Sequence, residues 1–260
     1  MEQKTITLAE SGGVATLTLN RPEKRNAISY ELIDELLSAL AEVEKSPAQV
    51  LVLTGAGQSF CSGMDLDNLR AITGRTLAQN LKDSKTMARL FRSLYDFPRP
   101  TIAAVNGPAV GGGCGLATLC DFTLASREAK FGYTEVRIGF LPAIVSTFLL
   151  RQVGEKRARD LLLTGRILDA QEALQLGLVS EVVEPDRLLA RARELAASLM
   201  SNSPASLLAT KSLLSAYSKQ ELDDRIKIAV DENARIRATA DFREGVAAFL
   251  EKRAPKWSGK

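Results

Sequence analysis

The 260-residue chain contains no histidine. That absence excludes a Ser-His-Asp triad, a Cys-His dyad and a histidine-ligated zinc site, so any acid–base chemistry falls to Asp, Glu, Lys, Tyr or Cys. Cysteine is scarce: Cys61, Cys114 and Cys120 make an odd number in a long chain. A disulfide framework is therefore not expected, and a reducing, cytoplasmic compartment is. Charge of one sign is also lacking. A net charge of +3 at pH 7, spread along the chain, gives no footprint for nucleic acid but suits a multiply anionic small ligand. No long apolar run is present. "MEQKTITLAE" has no apolar stretch of the kind a secretory signal needs, and residues 102–120 are interrupted by Asn106, Pro108 and glycines, so neither a leader nor a membrane span is expected. Phosphate-loop signatures fail too. No Gly-Lys-Ser/Thr occurs, and the sixth position of a G-x-G-x-x-G/A pattern is Leu116 when counted from Gly111 and Thr118 when counted from Gly113.

What is present fits a soluble globular chain: 45% hydrophobic and 25% charged residues. "ITLAESGGVATLTLN" reads as two strands about a Ser11-Gly12-Gly13 turn, and "RPEKRNA" (21–27) as a charged loop. Leu32, Ile33, Leu36, Leu37, Leu40 and Val43 give residues 29–45 the apolar stripe of a helix. "QVLVLTG" (49–55) and "TIAAVNG" (101–107) are short apolar runs suited to buried parallel strands. Residues 57–66 form a loop, 76–95 a helix, and "DFTLAS" (121–126) a further strand. Beyond residue 140 helical periodicity dominates, and only "LVSEVVE" (178–184) reads as extended. An α/β core over 1–190 followed by a helical region over 191–260 is the expected organisation.

The most informative stretch is "VNGPAVGGGCGLATLCD" (105–121), a strand entering a glycine-rich turn and a helix of small residues. Its glycines serve either close packing or the baring of a helix start to a ligand. The first N–H groups of a helix have no intrahelical acceptor and favour negative charge, so such a turn suits a developing oxyanion. Cys114 sits at the same helix start, where a thiol pKa tends to fall. Without a histidine base it is a weak nucleophile candidate.

This stretch resembles the crotonase superfamily, the enoyl-CoA hydratase/isomerase family. So do "RPEKRNAIS" (21–29), "LTGAGQSFCSGMDL" (53–66), "AKFGYTEVRIGFLPA" (129–143) and "LTGRILDAQEALQLGLVSEVV" (163–183), all in the family's order. The resemblance implies an α/β spiral of β-β-α repeats with a helical C-terminal trimerisation region, assembled as a homotrimer or dimer of trimers. It implies an acyl-CoA or enoyl-CoA thioester substrate, no cofactor beyond the coenzyme A that the substrate carries, and no metal, nucleic-acid or membrane partner. Matched motif to motif, the N–H groups of Met64 and Gly112 form the oxyanion hole for a thioester enolate, and Glu135 in "TEVRIG" is the acid–base. Lys24, Arg25, Ala27, Ser62, Asp65 and Leu66 fall in segments that meet coenzyme A. Phe249 and Lys252 match a C-terminal segment that reaches it, on the same or a neighbouring subunit.

One position departs from the pattern. Hydratases of the family carry a second glutamate where this chain has Gly115. Syn hydration suits two carboxylates, because together they hold the water while one passes a proton to C2. Isomerisation of a 3-enoyl to a 2-enoyl thioester needs only one base, so Gly115 shifts weight toward proton shuttling, while "FGYTEVRIGFLPA" is nearer the hydratases. Tyr133 and Asp67 are conceivable replacements. Phe140, Leu141, Ile144 and Phe148 either shape an acyl pocket or belong to the core. The alternatives are a catalytically reduced acyl-CoA-binding protein, and decarboxylation or thioester hydrolysis of a CoA ester.

Overall fold

The computed structural model describes residues 5–260. Strands β1 (Ile6–Ser11) and β2 (Val14–Leu19) form the expected hairpin, and helix α1 (Tyr30–Lys45) follows with Ser29 as its cap, the Ser29 hydroxyl accepting from Leu32 N–H. Strand β3 (Val50–Gly55), the short helix α2 (Leu66–Ile72) and the long helix α3 (Leu77–Tyr95) lead to β4 (Thr101–Val105), β5 (Ala109–Val110) and helix α4 (Gly112–Thr118). Strands β6 (Phe122–Ser126) and β7 (Lys130–Gly132) precede a 3-10 turn at Glu135–Ile138. Then come α5 (Ala143–Val153), α6 (Glu155–Thr164), β8 (Ile167–Asp169), α7 (Ala170–Gln175) and β9 (Glu181–Val183). The chain ends in α8 (Leu188–Met200), α9 (Pro204–Ala216), α10 (Lys219–Ile236) and α11 (Ala240–Leu250).

Six strands form one sheet in the order β1-β2-β3-β4-β6-β9, and β2 through β9 all run parallel. Three short strands, β5-β7-β8, make a second sheet. The sequence pattern missed β8. Ile167–Asp169 sits inside a helical-looking stretch and is extended because it pairs antiparallel with β7, a long-range bond that local periodicity does not encode.

The parallel sheet is covered on both faces, which explains why β3 and β4 read as unbroken apolar runs. Leu51 and Leu53 point into the main core with Leu17, Leu36 and Phe91. Val50 and Val52, one residue out of step, point the other way and pack with Ile102, Ala104 and Leu124 beneath Leu188, Ala192 and Ala196 of α8. Helix α10 packs against α3 and α5, and α11 packs against α2 and the 135–138 turn. A third cluster, Leu69, Ile72, Phe242 and Val246 with Met64, Ile138 and Phe140 against it, ties the 57–66 loop, the Glu135 turn and α11 together. These three segments surround the principal cleft.

Candidate active site

The 21–27 loop is fixed by polar bonds rather than by burial of apolar side chains. Arg21 N–H donates to Asn26 Oδ1 at 2.8 Å, and Asn26 Nδ2 donates to the carbonyls of Ala56 (2.9 Å) and Ser59 (2.7 Å). Arg21 pairs with Asp65 at 2.9 Å. The Asp65 carboxylate also caps α2 by accepting from Asp67 N–H. This loop and the 57–66 loop form one wall of a cleft of about 1390 Å³, whose lining includes Lys24, Arg25, Ala27, Ser62, Met64, Asp65, Leu66, Gly112, Glu135 and Phe249. Thus most of the residues singled out in the sequence meet in one place. Asp65 does so as a structural carboxylate, already held by Arg21.

Two of those residues stand apart. Lys252 lies on the turn after α11 and does not line the cleft, whereas its neighbour Arg253 does. Gly115 is buried inside α4 and also does not reach the cleft surface. Phe249 is 52% exposed, so it is a cleft residue and not core. Phe140, Leu141 and Ile144 line the cleft, while Phe148 packs on Tyr95 with ring centroids 5.1 Å apart.

The glycine run divides by role. Gly113 is there for packing, since a Cβ on it would lie 2.2 Å from the Cys61 carbonyl oxygen. Gly111 has φ +56 and ψ −128, a region that side chains avoid. A Cβ on it would lie 3.3 Å from Glu135 Oε1 and 3.9 Å from Gly63 Cα. Gly111 therefore packs against both the carboxyl and the Gly63-Met64 loop, and a methyl there would crowd Glu135 Oε1 on a backbone that side chains avoid. Gly112 opens α4 toward the cleft. Ile28 N–H donates to Gly63 carbonyl and Asp65 N–H to Ile28 carbonyl, bracketing Met64. Among the described residues neither Met64 N–H nor Gly112 N–H has a hydrogen-bond acceptor. Two unpaired N–H groups and a carboxyl thus face one cleft.

Glu135 opens the 3-10 turn, and Phe140 N–H donates to its carbonyl at 3.0 Å. Its Oε2 is shielded from solvent and has no hydrogen-bond partner. Burial is the main cause that pushes the carboxyl up from 4.5 to about 7, slightly opposed by the residue's own N–H. A carboxyl so poised exchanges protons readily near neutrality.

The other acidic residues on the cleft lining are Glu23, Asp65 and Glu128, and the part beside Gly112 and Gly115 is apolar. Phe91, Val145 and Ile28 form the wall above Gly112 and Gly115. A Cβ on Gly115 would meet Val145 Cγ1 at 2.7 Å and Phe91 Cζ at 3.5 Å. The valine methyl fills the space a side chain at 115 would need. Neither conceivable replacement is in place. Tyr133 is fully buried, its hydroxyl 3.1 Å from Thr118 Oγ1, and Asp67 is exposed beside Lys24 at 3.7 Å.

For Cys114 the structure overturns only the expected fall in thiol pKa, and it bears out the weak case for a nucleophile. The residue is fully buried, and burial pushes its thiol up to about 12 despite the helix start beside it. It is inert as a nucleophile. Among the described residues no group of three or more Cys, Asp or Glu could hold a metal ion, and no helix is long and apolar enough to cross a membrane.

A family model described as enoyl-CoA hydratase/isomerase matches residues 9–260. A "Putative enoyl-CoA hydratase" from Thermus thermophilus is 47% identical over 95% of this chain and 98% of its own length. A "2,3-dehydroadipyl-CoA hydratase" from Escherichia coli is 38% identical over 95% and 96%. The crystal structure of an enoyl-CoA hydratase/isomerase from Pseudoalteromonas atlantica superposes with a TM-score of 0.87 at 35% identity, covering 98% of this chain and 100% of that one.

Proposed function

Because this chain belongs to the enoyl-CoA hydratase/isomerase family, we propose that Glu135 is its single acid–base and that the N–H groups of Met64 and Gly112 hold the thioester oxygen. The observation that carries this is the meeting of the shielded, unpartnered Glu135 Oε2 with those two unpaired N–H groups in one cleft beside Gly111. As a proton leaves C2, charge moves onto the thioester oxygen, where the two donors stabilise it; losing one such donor typically costs about 10²–10³ in rate. Glu135 takes the proton and, in an isomerisation, returns it at C4. The apolar wall of Phe91 and Val145 offers no second carboxylate to hold a water, so the geometry favours moving the double bond of a 3-enoyl-CoA. Hydration of a 2-enoyl-CoA is the second reading, favoured by relatives with hydratase names.

The substrate brings its own coenzyme A, and the reading requires no resident cofactor. Lys24, Arg25, Ser62 and Phe249 line the same cleft and suit its nucleotide and phosphates. We extend the reading to a cytoplasmic homo-oligomer, a trimer or pair of trimers, supported by the exposed Leu213, Leu214 and Tyr217 on and just after α9. The test is a substrate panel of crotonyl-CoA, a 3-enoyl-CoA and malonyl-CoA, with wild type and Glu135→Gln. Loss of turnover in Glu135→Gln on the accepted enoyl substrate supports the assignment; retention overturns it. Binding without turnover of any substrate would establish a binding protein instead.

A further inference from the structure

Two glycines bring the turn that carries Glu135 into main-chain contact with α11. A Cβ on Gly245, in the middle of α11, would lie 2.3 Å from the Ile138 carbonyl oxygen and 3.0 Å from Gly139 N. A Cβ on Gly139, which ends the 135–138 turn at φ +67, would lie 2.5 Å from the Asp241 carbonyl oxygen and 3.1 Å from Phe242 Cα. The contact is reciprocal: each glycine leaves room for the other segment's main chain. No flexible side chain lies between them to absorb a displacement, and close-packed interiors transmit strain.

The turn is braced from within. Arg137 N–H donates to the Thr134 carbonyl at 2.9 Å, and Phe140 N–H to the Glu135 carbonyl at 3.0 Å. The Phe140 ring packs on Phe242 of α11 with centroids 5.2 Å apart. A shift at Ile138 therefore reaches Glu135, three residues back. Helix α11 is itself fastened by the segment that follows it. The Asp241 carboxylate accepts from Ser258 N–H (2.7 Å), Ser258 hydroxyl (2.8 Å) and Gly259 N–H (3.0 Å). Glu244 accepts from both terminal nitrogens of Arg253, at 2.6 and 2.9 Å, and from Lys256 N–H at 2.7 Å.

The charged groups around the turn are engaged elsewhere. On α11, Asp241 and Glu244 hold the following segment and Arg243 donates to the Ala238 carbonyl. On α6, which also packs on the turn, Arg159 pairs with Glu155 and Asp160 with Arg166, while Lys156 and Arg157 are exposed, as is Arg137 on the turn itself. Cys114 and Tyr133 stay neutral, because burial raises both thiol and phenol. What the contact with α11 controls at Glu135 is thus place and burial.

We propose that Gly245 and Gly139 are positioning residues for the proton transfer: their contact sets where the Glu135 carboxyl stands in the cleft, and residues 253–260 hold α11 to that contact through Asp241 and Glu244. This rests on the reading of Glu135 as the acid–base. It adds the element that places the carboxyl and leaves the chemistry unchanged.

The test measures kcat, KM and the titration of Glu135 in wild type, Gly245→Ala and Asp241→Ala, with crotonyl-CoA and a 3-enoyl-CoA as substrates. The titration is followed by carbon-13 NMR of glutamate-labelled protein, with Glu135→Gln identifying the signal, so it needs no turnover. Wild type should titrate at about 7. In Gly245→Ala the added methyl parts the two main chains and water reaches the carboxyl. The midpoint should fall toward 4.5, and kcat should fall by about 10²-fold with KM changed by less than about fivefold. Asp241→Ala keeps the main-chain contact and is the milder variant. It should release the following segment, seen in the fluorescence of Trp257, the only tryptophan of the chain, and lower kcat by about tenfold. Ala196→Gly, buried in α8 under the other face of the sheet, controls for general destabilisation and should leave kcat and the titration unchanged. A folded Gly245→Ala with kcat within about threefold of wild type and an unmoved titration overturns the positioning, and an inactive Glu135→Gln then leaves the reaction standing. A moved titration in Gly245→Ala with full activity in Glu135→Gln supports the positioning and refutes the catalytic reading. If Gly245→Ala does not fold, Asp241→Ala decides: a released segment with unchanged kcat overturns the proposal, and a tenfold loss supports it.

Discussion

Gly115 and Val145 form a coupled pair, and restoring a carboxylate at 115 tests how much its absence limits hydration. Gly115→Glu alone places a Cβ 2.7 Å from Val145 Cγ1, well inside van der Waals contact, within a helix that is buried along its length. Overpacking of this kind typically costs about 1–3 kcal/mol. Val145→Ala removes the obstructing methyls at a cost of roughly 1–2 kcal/mol in buried apolar surface. Because the two residues share one space, their effects should not add: the double variant is expected to be more stable than the sum of the single changes by about 1 kcal/mol or more, read as a coupling term in denaturant midpoints. The freed space opens on the cleft, since Val145 lines it. A carboxylate entering there reaches the cleft that Glu135 lines and can hold a water. General acid–base assistance is worth about 10²–10⁴ in rate, or roughly 3–5 kcal/mol of barrier. Crotonyl-CoA hydration, followed by loss of enoyl-thioester absorbance, should therefore rise by at least the lower end of that range in Gly115→Glu/Val145→Ala and by much less in Gly115→Glu. A folded double variant whose hydration rate stays within about threefold of wild type would refute the claim that Gly115 and Val145 suppress hydration.

Other consequences follow from the same geometry. With Glu135 titrating at about 7, kcat/KM for isomerisation should rise with pH through that value, as the basic form accumulates, and Glu135→Gln should abolish both the activity and the inflection. Its carboxyl is raised in the folded state, so it binds its proton more tightly folded than unfolded. Stability is thus highest below the unfolded value of 4.5 and falls as pH rises toward about 7. Glu135→Gln should therefore raise the melting temperature at pH 8, by up to a few kcal/mol in free energy, and change it little at pH 4; a destabilised variant at pH 8 would contradict the burial argument. Gly111→Ala puts a methyl 3.3 Å from Glu135 Oε1 on a backbone with φ +56, and should lower kcat by about 10²-fold or more with the fold retained by circular dichroism. Cys61, Cys114 and Cys120 are all buried with thiols pushed up to about 12, so a thiol reagent should label none of them in native protein and all three in denaturant.

The helices and strands that obey a local period were legible in the sequence. Helix α1, with its apolar stripe and Ser29 cap, and the doubly covered strands β3 and β4 carry their own signatures. Strand β8 does not, because its three residues owe their conformation to β7. Within the site, the motif blocks led to Glu135, Met64 and Gly112, and the cleft gathers all three. Phe91, Val145, Asn233, Arg237 and Arg253 went unnoticed, each looking in sequence like an ordinary residue of a helix or turn. Arg237 in particular sits in a charged stretch that reads as a solvated face, and nothing nearby marks it as buried.

By itself the sequence determined the chemistry that was available: without histidine, acid–base work fell to Asp, Glu, Lys, Tyr or Cys, and the glycine-rich turn offered backbone donors at a helix start. Those are properties of residue types and short spacings, which survive in any arrangement of the chain. Tertiary structure alone decided which groups would meet. It set Gly111 against both Glu135 and Gly63, filled the space above Gly115 with a methyl from a helix 30 residues later, and brought a guanidinium from α10 against Asp83 of α3, 154 residues away. Whether a side chain is a catalyst, a plug or a solvated charge depends on burial and on neighbours distant in sequence, and folding supplies both.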